Sequence, residues 1–297
     1  MKFEQLNSLI HPEVSVKHSV DLSKYSTMRL RAIGTLITCS SLAGLKETLI
    51  FLNKNKIPYR VLGWGANQII TDQASWVYLQ LSFVFKNAYF DKVRDIYDLP
   101  ASLPLNIMSG HAKKFGLSGW EVFTGIPATL GGAIYMNAGT RLGEIGELIK
   151  SVKVMNIKGE LRDEVINSSS FSYRKNNFVK DGEVIISAKV FHKGINNNIT
   201  KIIQDYSELR HKTQPISKKT CGCVFKNPYP DFAAGKAIEL LGLKGFTYKG
   251  IEISKVHGNF FENTNEAKTS DFLDLIEFVS QMLERYYAIE FELEVKI

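Results

Sequence analysis

The stretch YRVLGWGANQ, residues 59–68, places two glycines directly after a short apolar run. The run predicts a β-strand over residues 59–63 that stops at Gly63, and Gly65 follows after a single tryptophan. Glycine lets the backbone approach a ligand closely and take positive φ, and successive N–H groups in such a turn form a nest for an anion. A pyrophosphate fits this geometry. The pattern is neither the GxGxxG fingerprint nor a GxxxxGK[ST] loop, so an ordinary tight turn is the alternative.

The segments on both sides of this turn predict a βαβ unit. Residues 35–40 (TLITCS) have the composition of a short strand, and Ser41 is a typical helix N-cap. The leucines that follow recur at helical spacing and predict a helix packed on a sheet. They are Leu42, Leu45, Leu49 and Leu52. Residues 76–83 (WVYLQLSF) predict the next strand.

A second glycine-rich stretch, GIPATLGGAIYMNAGT at residues 125–140, predicts a loop with few side chains. Such a surface lies well against a flat ring or a diphosphate. The alternative is a packed, glycine-rich crossing of two elements. Because two stretches of this kind occur in one region, the sequence favours a bound dinucleotide.

The polar segment KGINNN, residues 193–198, predicts a domain boundary. We therefore expect an N-terminal region over residues 1–195, with subdomains at about 20–84 and 85–195, and a C-terminal domain over residues 196–297. Beyond the boundary, residues 271–286 predict an amphipathic helix. Its apolar stripe consists of Phe272, Leu275, Ile276, Val279, Met282, Leu283 and Tyr286. The alternating segment FELEVKI at residues 291–297 predicts a strand with its charged residues on one face.

Composition limits the class of protein. The chain has 297 residues, 44% of them hydrophobic, which supports a sizeable core. The net charge is +7, but lysine and arginine are spread along the chain, which favours a polyanionic small molecule over nucleic acid. Three cysteines exclude a disulfide framework, and no apolar run approaches the roughly 20 residues of a membrane span. We expect a cytoplasmic protein that binds neither nucleic acid nor membrane.

Two further motifs carry candidate side chains. FSYRKNNF at residues 171–178 places Tyr173 beside Arg174, and an arginine can hold a carboxylate or phosphate through two N–H groups or form a surface ion pair. Arg210 has the same two interpretations. CGCVFKNP at residues 221–228 contains Cys221 and Cys223, which could be half a metal site, a redox pair, or a thiol in a hydroxyl's role. No second ligand pair accompanies them and their spacing is not CxxC, so we predict no metal.

Taken in order, these motifs resemble the UDP-N-acetylenolpyruvoylglucosamine reductase (MurB) family in its shorter form, from about residue 25 to residue 297. The other members of the ordered set are AGKAIELLGLKG, SKVHGNFFEN and the terminal LEVKI. The resemblance implies an α+β (mixed α/β) fold. A two-subdomain FAD-binding region of the PCMH or vanillyl-alcohol-oxidase-like type precedes a C-terminal α+β substrate domain.

The resemblance also implies a function, that of a UDP-N-acetylmuramate dehydrogenase. Such an oxidoreductase holds FAD tightly but non-covalently and uses NADPH to reduce UDP-N-acetylglucosamine enolpyruvate to UDP-N-acetylmuramate. This is a step of peptidoglycan synthesis, hence of cell wall biogenesis, cell shape and cell division. We expect a monomer acting on a UDP-sugar.

Site residues are carried over by motif. The FAD-binding set is Gly63, Trp64, Gly65, Ala66 and Asn67 near the phosphates, with Gly125, Ile126, Thr129, Gly132 and Asn137 along the flavin. The catalytic set is Arg174, Cys223 and Glu294. The substrate-binding set is Tyr173, Arg210, Lys226, Asn227 and Lys296, the last four from their charge or polarity and position. We expect Arg174 to hold the substrate carboxylate and a protonated Glu294 to donate a hydrogen bond to the developing negative charge.

The chain departs from the family pattern at four places. Ala66 replaces a serine, Ala128 a glycine, and GTRLG stands where the family has GAYG. Cys223 stands where the family has its catalytic serine. A thiol has a reference pKa of roughly 8.5 and can donate a proton, provided that nearby cations do not leave it as a thiolate. We expect Cys223 to stay largely protonated at neutral pH.

Two other functions are compatible with parts of the sequence. One is a different FAD oxidoreductase of the same binding fold, acting on an alcohol or a sugar. The other, of a different class, is a non-catalytic nucleotide or nucleic-acid binder, suggested only by the basic charge.

Overall fold

The computed structural model describes residues 3–297, which form two compact units. The first unit takes Thr35–Gly63, Ser75–Ser207 and the described residues up to His18, and the second takes Ser19–Gly34, Trp64–Ala74 and Glu208–Ile297. Each unit is therefore assembled from three separate stretches of chain. The domain limits predicted at residues 84 and 195 stay predictions.

Helices and strands alternate along most of the chain. In chain order the strands are β1 (Val14–Asp21), β2 (Ile33–Cys39), β3 (Tyr59–Val61), β4 (Val77–Leu81), β5 (Ile96–Pro100), β6 (Gly139–Thr140), β7 (Gly143–Glu144), β8 (Ile149–Met155), β9 (Leu161–Val165), β10 (Phe171–Ser172), β11 (Lys175–Asn176), β12 (Val184–Phe191), β13 (Thr220–Cys223), β14 (Thr247–Tyr248), β15 (Ile251–Ile253) and β16 (Phe260–Asn263). The helices are α1 (Leu42–Lys54), α2 (Leu105–Phe115), α3 (Leu130–Tyr135), α4 (Ile199–Thr213), α5 (Ala234–Leu240) and α6 (Thr269–Tyr287).

The predicted βαβ unit is confirmed. The strands follow the order β1-β2-β4-β3, and both β2 and β3 run parallel to β4. The Ser41 hydroxyl accepts the Gly44 N–H at 3.0 Å and begins α1. Leu45, Leu49 and Leu52 are fully buried on the sheet side of α1, as their spacing requires. Strand β3 therefore delivers Gly63 just beyond its carboxyl end.

A second sheet of the first unit is antiparallel, in the order β5-β12-β8-β9. Helices α2 and α3 belong to the same apolar core, where Tyr97, Trp120 and Phe123 are fully buried. Two short hairpins, β6–β7 and β10–β11, emerge from this unit. Gly139 and Glu144 of the first hairpin and Arg174 of the second belong to the candidate site.

The second unit has its own antiparallel sheet, β13-β16-β15-β14, packed with α5 and α6. The predicted amphipathic helix is confirmed as α6, and most of its predicted stripe is buried. Tyr286 is an exception, since it is 63% exposed near the helix end. Within residues 3–297, no helix is long and apolar enough to cross a bilayer.

The strand predicted at the C-terminus is wrong. Residues 291–297 make only two isolated bridges, Leu293 with Phe225 and Lys296 with Gln68. The reason is a bend: the N–H groups of both Glu294 and Val295 donate to the carbonyl oxygen of Val224, at 2.8 and 3.3 Å. A regular strand cannot direct two consecutive N–H groups to one acceptor.

His111 of α2 is buried among aromatic rings. Its ring centroid lies 4.4 Å from that of Phe90 and 4.7 Å from that of Phe115, and its Nε2 lies 2.9 Å from the Tyr97 hydroxyl oxygen. Burial, assisted by the charge of Lys114, lowers the pKa of His111 from 6.5 to about 4. The neutral imidazole therefore stabilises the fold fully above pH 6.5, and this stability is lost as the pH falls toward 4.

We predict that His111→Gln makes the protein less sensitive to acid. Between about pH 7 and about pH 5, the wild type should lose about 2 kcal/mol more unfolding free energy than the variant. Urea titrations at the two pH values measure this difference. The change His211→Gln, at an exposed histidine of α4, should leave the wild-type loss intact. Equal losses in wild type and His111→Gln would contradict the assignment.

Candidate functional site

The end of β3 meets the start of α3 in the first unit. A Cβ atom on Gly63 would lie 2.9 Å from the Thr129 hydroxyl oxygen and 3.9 Å from the Gly132 Cα atom. The same hydroxyl accepts the Gly132 N–H at 3.4 Å and begins the helix. Three of the predicted cofactor residues therefore lie together, on a surface with very few side-chain atoms.

The stretch predicted as one glycine-rich loop contains helix α3, so that part of the prediction is wrong. Leu130, Ala133 and Ile134 are fully buried at helical spacing, and this burial stabilises a helical turn despite the two glycines. Gly131 packs against the residue that follows β5, since a Cβ atom there would lie 2.7 Å from the Ala101 Cβ. The alternative interpretation, a glycine-rich crossing of two elements, describes this part of the stretch.

The residues before α3 do form a loop. Gly125 is exposed with φ of 70°, a conformation that glycine adopts without strain. The carbonyl oxygen of the half-buried Ile126 accepts the Ala128 N–H at 2.9 Å, which tightens the loop. The flavin contacts expected of Gly125 and Ile126 stay predictions.

Asn137 is a buried link between three segments. Its side chain is 1% exposed, and its Nδ2 donates to Glu144 Oε2 at 2.6 Å and to the carbonyl oxygen of Ser172 at 3.1 Å. Its Oδ1 accepts the Gly146 N–H at 3.0 Å. The residue itself sits at φ of 46°, which is uncommon outside glycine but tolerated by asparagine. These bonds give Asn137 a structural role, and its predicted contact with the flavin stays a prediction.

Tyr173 and Arg174 form the two-residue loop of the β10–β11 hairpin. Arg174 has φ of 56°, a strained conformation of the kind that persists where neighbouring structure enforces it. Its Nη2 donates to the carbonyl oxygen of Gly139 at 2.9 Å, and its Nη1 lies 3.7 Å from Glu144 Oε1. Its guanidinium carbon is 5.0 Å from the centroid of the Tyr173 ring. These contacts hold the Arg174 side chain in one place, although the residue belongs to a hairpin loop.

The remainder of the predicted phosphate loop belongs to the second unit. Gly65 is buried with φ of 63°, and a Cβ atom there would fall on the carbonyl oxygen of Tyr25. The Thr27 N–H donates to the Gly65 carbonyl oxygen at 3.2 Å, while the Thr27 hydroxyl is buried with no hydrogen-bond partner. A buried hydroxyl without a protein partner is available to a polar ligand group or to an ordered water. Neighbouring Trp64 is exposed and Ala66 is half-buried.

Sequence reasoning missed Thr27 because a lone threonine in STMRL matches no ligand-binding pattern. It also missed Glu144, although the acid follows the atypical GTRLG segment directly. In both cases the signal is a contact between residues that are distant in the chain.

Asn67 joins the phosphate loop to the C-terminus within the second unit. Its Nδ2 donates to the Glu294 carbonyl oxygen, and the Lys296 N–H donates to the Asn67 carbonyl oxygen, each at 3.0 Å. The Glu294 N–H in turn donates to the carbonyl oxygen of Val224, the residue after Cys223. The Asn67 side chain and backbone groups thus connect Asn67, Glu294, Lys296 and the end of β13 by hydrogen bonds.

Cys221 and Cys223 occupy different environments in β13. Cys221 is fully buried, and Cys223 is half-buried and paired with Phe260 across the sheet. Between them Gly222 has φ of 80° at an irregularity of the strand pairing. Burial raises the pKa of the Cys221 thiol to about 12, and the nearby Glu294 carboxylate adds to this effect. Cys221 is therefore an inert thiol, whereas Cys223 is partly accessible.

The remaining predicted substrate residues have contacts of their own within the second unit. Lys226 Nζ lies 2.7 Å from Glu292 Oε2, and the Asn227 Oδ1 accepts the Ala234 N–H at 3.0 Å. Arg210 Nε donates to the Gln214 side-chain oxygen at 2.8 Å. The binding roles of these three residues and of the exposed Lys296 stay predictions.

The residues fit a flavin dinucleotide better than a metal ion. Within the first unit, the side-chain-poor surface of Gly63, Thr129 and Gly132 allows close approach of a flat or phosphorylated ligand. Across residues 3–297, no group of three or more His, Cys, Asp or Glu side chains is placed to hold a metal. The class follows from a family comparison as well: residues 34–163 match the FAD binding domain model. The chain is a member of the FAD-binding oxidoreductases.

The particular family follows from the rest of the chain. Residues 214–297 match the model of the UDP-N-acetylenolpyruvoylglucosamine reductase C-terminal domain. A reductase of that name from Prochlorococcus marinus is 33% identical over 95% of this chain and 98% of its own, and one from Halalkalibacterium halodurans is 31% identical over 99% and 97%. The crystal structure of the Thermus caldophilus enzyme (MurB) shares 30% identity over 95% of this chain and 98% of its own, with a TM-score of 0.79. This chain belongs to the UDP-N-acetylenolpyruvoylglucosamine reductase family, and the predicted resemblance and fold class are confirmed.

We predict that alkylation labels one cysteine of the native protein. Iodoacetamide at about pH 8 should modify Cys223, since the thiolate is the nucleophile and burial raises the pKa of Cys221 to about 12 and of Cys39 to about 11. Peptide mass spectrometry locates the adduct, and Cys223→Ser serves as the control that stays unmodified until it is unfolded. An adduct on Cys221 in the native protein would show that its environment is wrongly described.

Proposed function

We propose that the protein is an FAD-dependent, NADPH-using reductase that acts as a UDP-N-acetylmuramate dehydrogenase. It reduces the enolpyruvyl ether of UDP-N-acetylglucosamine enolpyruvate to the lactyl ether of UDP-N-acetylmuramate, a step in peptidoglycan precursor synthesis. The main support is that the FAD binding domain model and the reductase C-terminal domain model match the same chain. Relatives with the reductase name also match it over nearly its full length. Membership of this family favours the reductase over the two alternatives compatible with the sequence, a different FAD oxidoreductase and a non-catalytic nucleotide or nucleic-acid binder.

The cofactor residues provide close approach and a polar contact. Within the first unit, Gly63 and Gly132 would hold FAD through backbone proximity, and the Thr129 hydroxyl between them would offer a polar contact. When bound, FAD takes a hydride from NADPH and passes it to the substrate. We propose that the boundary between the FAD-binding region and the substrate domain falls near residue 195 of the sequence.

Arg174 is the proposed carboxylate holder. Its planar guanidinium matches two carboxylate oxygens, and its position is already set by Gly139, Glu144 and Tyr173. Reduction of the vinyl ether places negative charge on the carbon beside the carboxylate and on the carboxylate itself. A guanidinium placed beforehand stabilises that charge without reorganisation during the reaction.

Cys223 is the proposed proton donor, and Glu294 a proposed hydrogen-bond donor in its protonated form. The proton leaves the thiol for the carbon beside the carboxylate, completing the addition of two hydrogen atoms across the double bond. Glu294 lies close enough to Cys221 for its charge to affect that thiol. In its protonated form Glu294 could donate a hydrogen bond to the developing negative charge.

Four further polar side chains are proposed to contact the diphosphate or the sugar. They are Arg210, Lys226, Asn227 and Lys296. Lys226 forms an ion pair with Glu292, so binding a phosphate would require it to share or leave that partner. We also propose a monomer in the cytoplasm, a location in keeping with three cysteines that form no disulfide, two of them buried.

The direct test is an assay of NADPH oxidation with and without the enolpyruvyl sugar nucleotide. We expect oxidation that depends on the sugar nucleotide and a product richer by two hydrogen atoms in its mass spectrum. NADPH oxidation that proceeds equally without the sugar nucleotide, or leaves it unchanged, contradicts the proposed function.

We predict that Cys223→Ala reduces substrate turnover by roughly a hundredfold or more, because general acid catalysis contributes that much. Cys223→Ser should keep substantially more activity, since its hydroxyl can relay a proton. Reduction of the bound flavin by NADPH, followed by visible absorbance, should be unaffected in both variants. Near wild-type turnover in Cys223→Ala would show that another group donates the proton.

We predict that Gly63→Ala lowers FAD occupancy. The new methyl group would meet the Thr129 hydroxyl at 2.9 Å and occupy the surface proposed to take the cofactor. The ratio of flavin to protein absorbance after purification measures the loss. The matched control is Gly110→Ala in α2, where no heavy atom lies within 4 Å of the new Cβ and helix propensity favours alanine. Equal FAD content in both variants would place the cofactor elsewhere.

A further inference from the structure

Gly139 and Glu144 contact the Arg174 side chain, and Asn137 holds Glu144; we call these three residues the Arg174 brace. Gly139 contributes the carbonyl oxygen that accepts from Nη2 at 2.9 Å. Glu144 places Oε1 3.7 Å from Nη1, which is an ion pair longer than a hydrogen bond. Asn137 is hydrogen-bonded to Glu144 and acts on Arg174 through that carboxylate.

Gly139 and Glu144 lie opposite each other on one hairpin. Gly139 of β6 pairs with Glu144 of β7, so the carbonyl and the carboxylate are held at a fixed separation. A Cβ atom on residue 139 would lie 2.9 Å from both Arg174 Nη1 and Glu144 Cγ. Only glycine at this position lets the guanidinium lie beside both partners.

The Glu144 carboxylate is itself held by a hydrogen bond from Asn137. Asn137 Nδ2 donates to Glu144 Oε2 at 2.6 Å, and the same amide is anchored to Ser172 and Gly146. Ser172 is the residue that begins the loop carrying Arg174. The brace thus closes a ring of contacts from the Arg174 loop, through Asn137 and Glu144, back to the guanidinium.

This arrangement matters because an arginine side chain has several rotatable bonds. Its ordering costs up to about 2 kcal/mol of side-chain entropy, and its loop also holds Arg174 at φ of 56°. A carboxylate in a part-buried site attracts the guanidinium more strongly than it would in water. The side chain of Arg174 is 16% exposed and that of Glu144 is 36% exposed, so the pair is partly shielded.

We propose that Glu144 is a positioning residue of the reaction: its carboxylate, set by Asn137, orients the Arg174 guanidinium toward the substrate carboxylate. The inference rests on the proposed function. Removing the charge of Glu144 leaves the positive charge of Arg174, so the substrate is still attracted. The guanidinium is then less well aligned, so the step that develops charge slows.

The test must separate this role from a purely structural one. In Glu144→Gln the side-chain oxygen still accepts from Asn137, but the attraction for Arg174 is gone. A structural role through Asn137 alone predicts that Glu144→Gln behaves like the wild type and that only Glu144→Ala is impaired. The matched control is Glu147→Gln, three residues on, whose carboxylate pairs with Lys193 at 2.7 Å.

In the holoenzyme, Glu144→Gln should lower kcat for the enolpyruvyl sugar nucleotide roughly ten- to hundredfold while KM changes far less. Reduction of the flavin by NADPH and the thermal midpoint should match those of Glu147→Gln. Arg174→Lys should cost less in the Glu144→Gln background than in the wild type, because the two residues act together. An unchanged kcat in Glu144→Gln, or fully additive losses in the double variant, overturns the inference. If the wild type itself does not reduce the sugar nucleotide, the proposed function fails instead.

Discussion

The buried side-chain amide of Asn137 holds together the segments on which the Arg174 site depends. Both of its N–H groups and its oxygen are used, by Glu144, Ser172 and Gly146. Loss of the amide would remove the hydrogen bonds of the Glu144 carboxylate, the Ser172 carbonyl oxygen and the Gly146 N–H to it, all of them part-buried. A single polar residue therefore determines where the β6–β7 and β10–β11 hairpins lie relative to each other, and with them the position of a strained arginine.

The two cysteines of the second unit show how burial assigns chemistry to otherwise equal groups. Cys221 and Cys223 are separated by one glycine, yet the first is sealed in the core with its pKa raised to about 12. The second is half-buried, and it is the thiol proposed to replace the serine of the family. The glycine between them has φ of 80° where the strand pairing is irregular, which breaks the simple alternation of faces.

Periodic patterns made much of the fold predictable from the sequence. The leucines of α1 and the stripe of α6 report burial on one face, and the structure confirms both helices. Patterns failed where a local contact overrides them: the C-terminal alternation is interrupted because two N–H groups share the carbonyl oxygen of Val224, and the glycine-rich stretch closes into α3. The site was predictable only as a set of motifs. Glu144 and the Thr27 hydroxyl depend on contacts between distant residues, and no spacing rule encodes these.

The central claim is that Arg174 is held in advance for the carboxylate of the substrate. The most direct measurement is a crystal structure of the holoenzyme with the enolpyruvyl sugar nucleotide bound. We expect both carboxylate oxygens within about 3 Å of the Arg174 guanidinium, with the Gly139 contact retained and Glu144 still beside Nη1. A carboxylate bound to other residues, with Arg174 unmoved and out of its reach, would contradict the account.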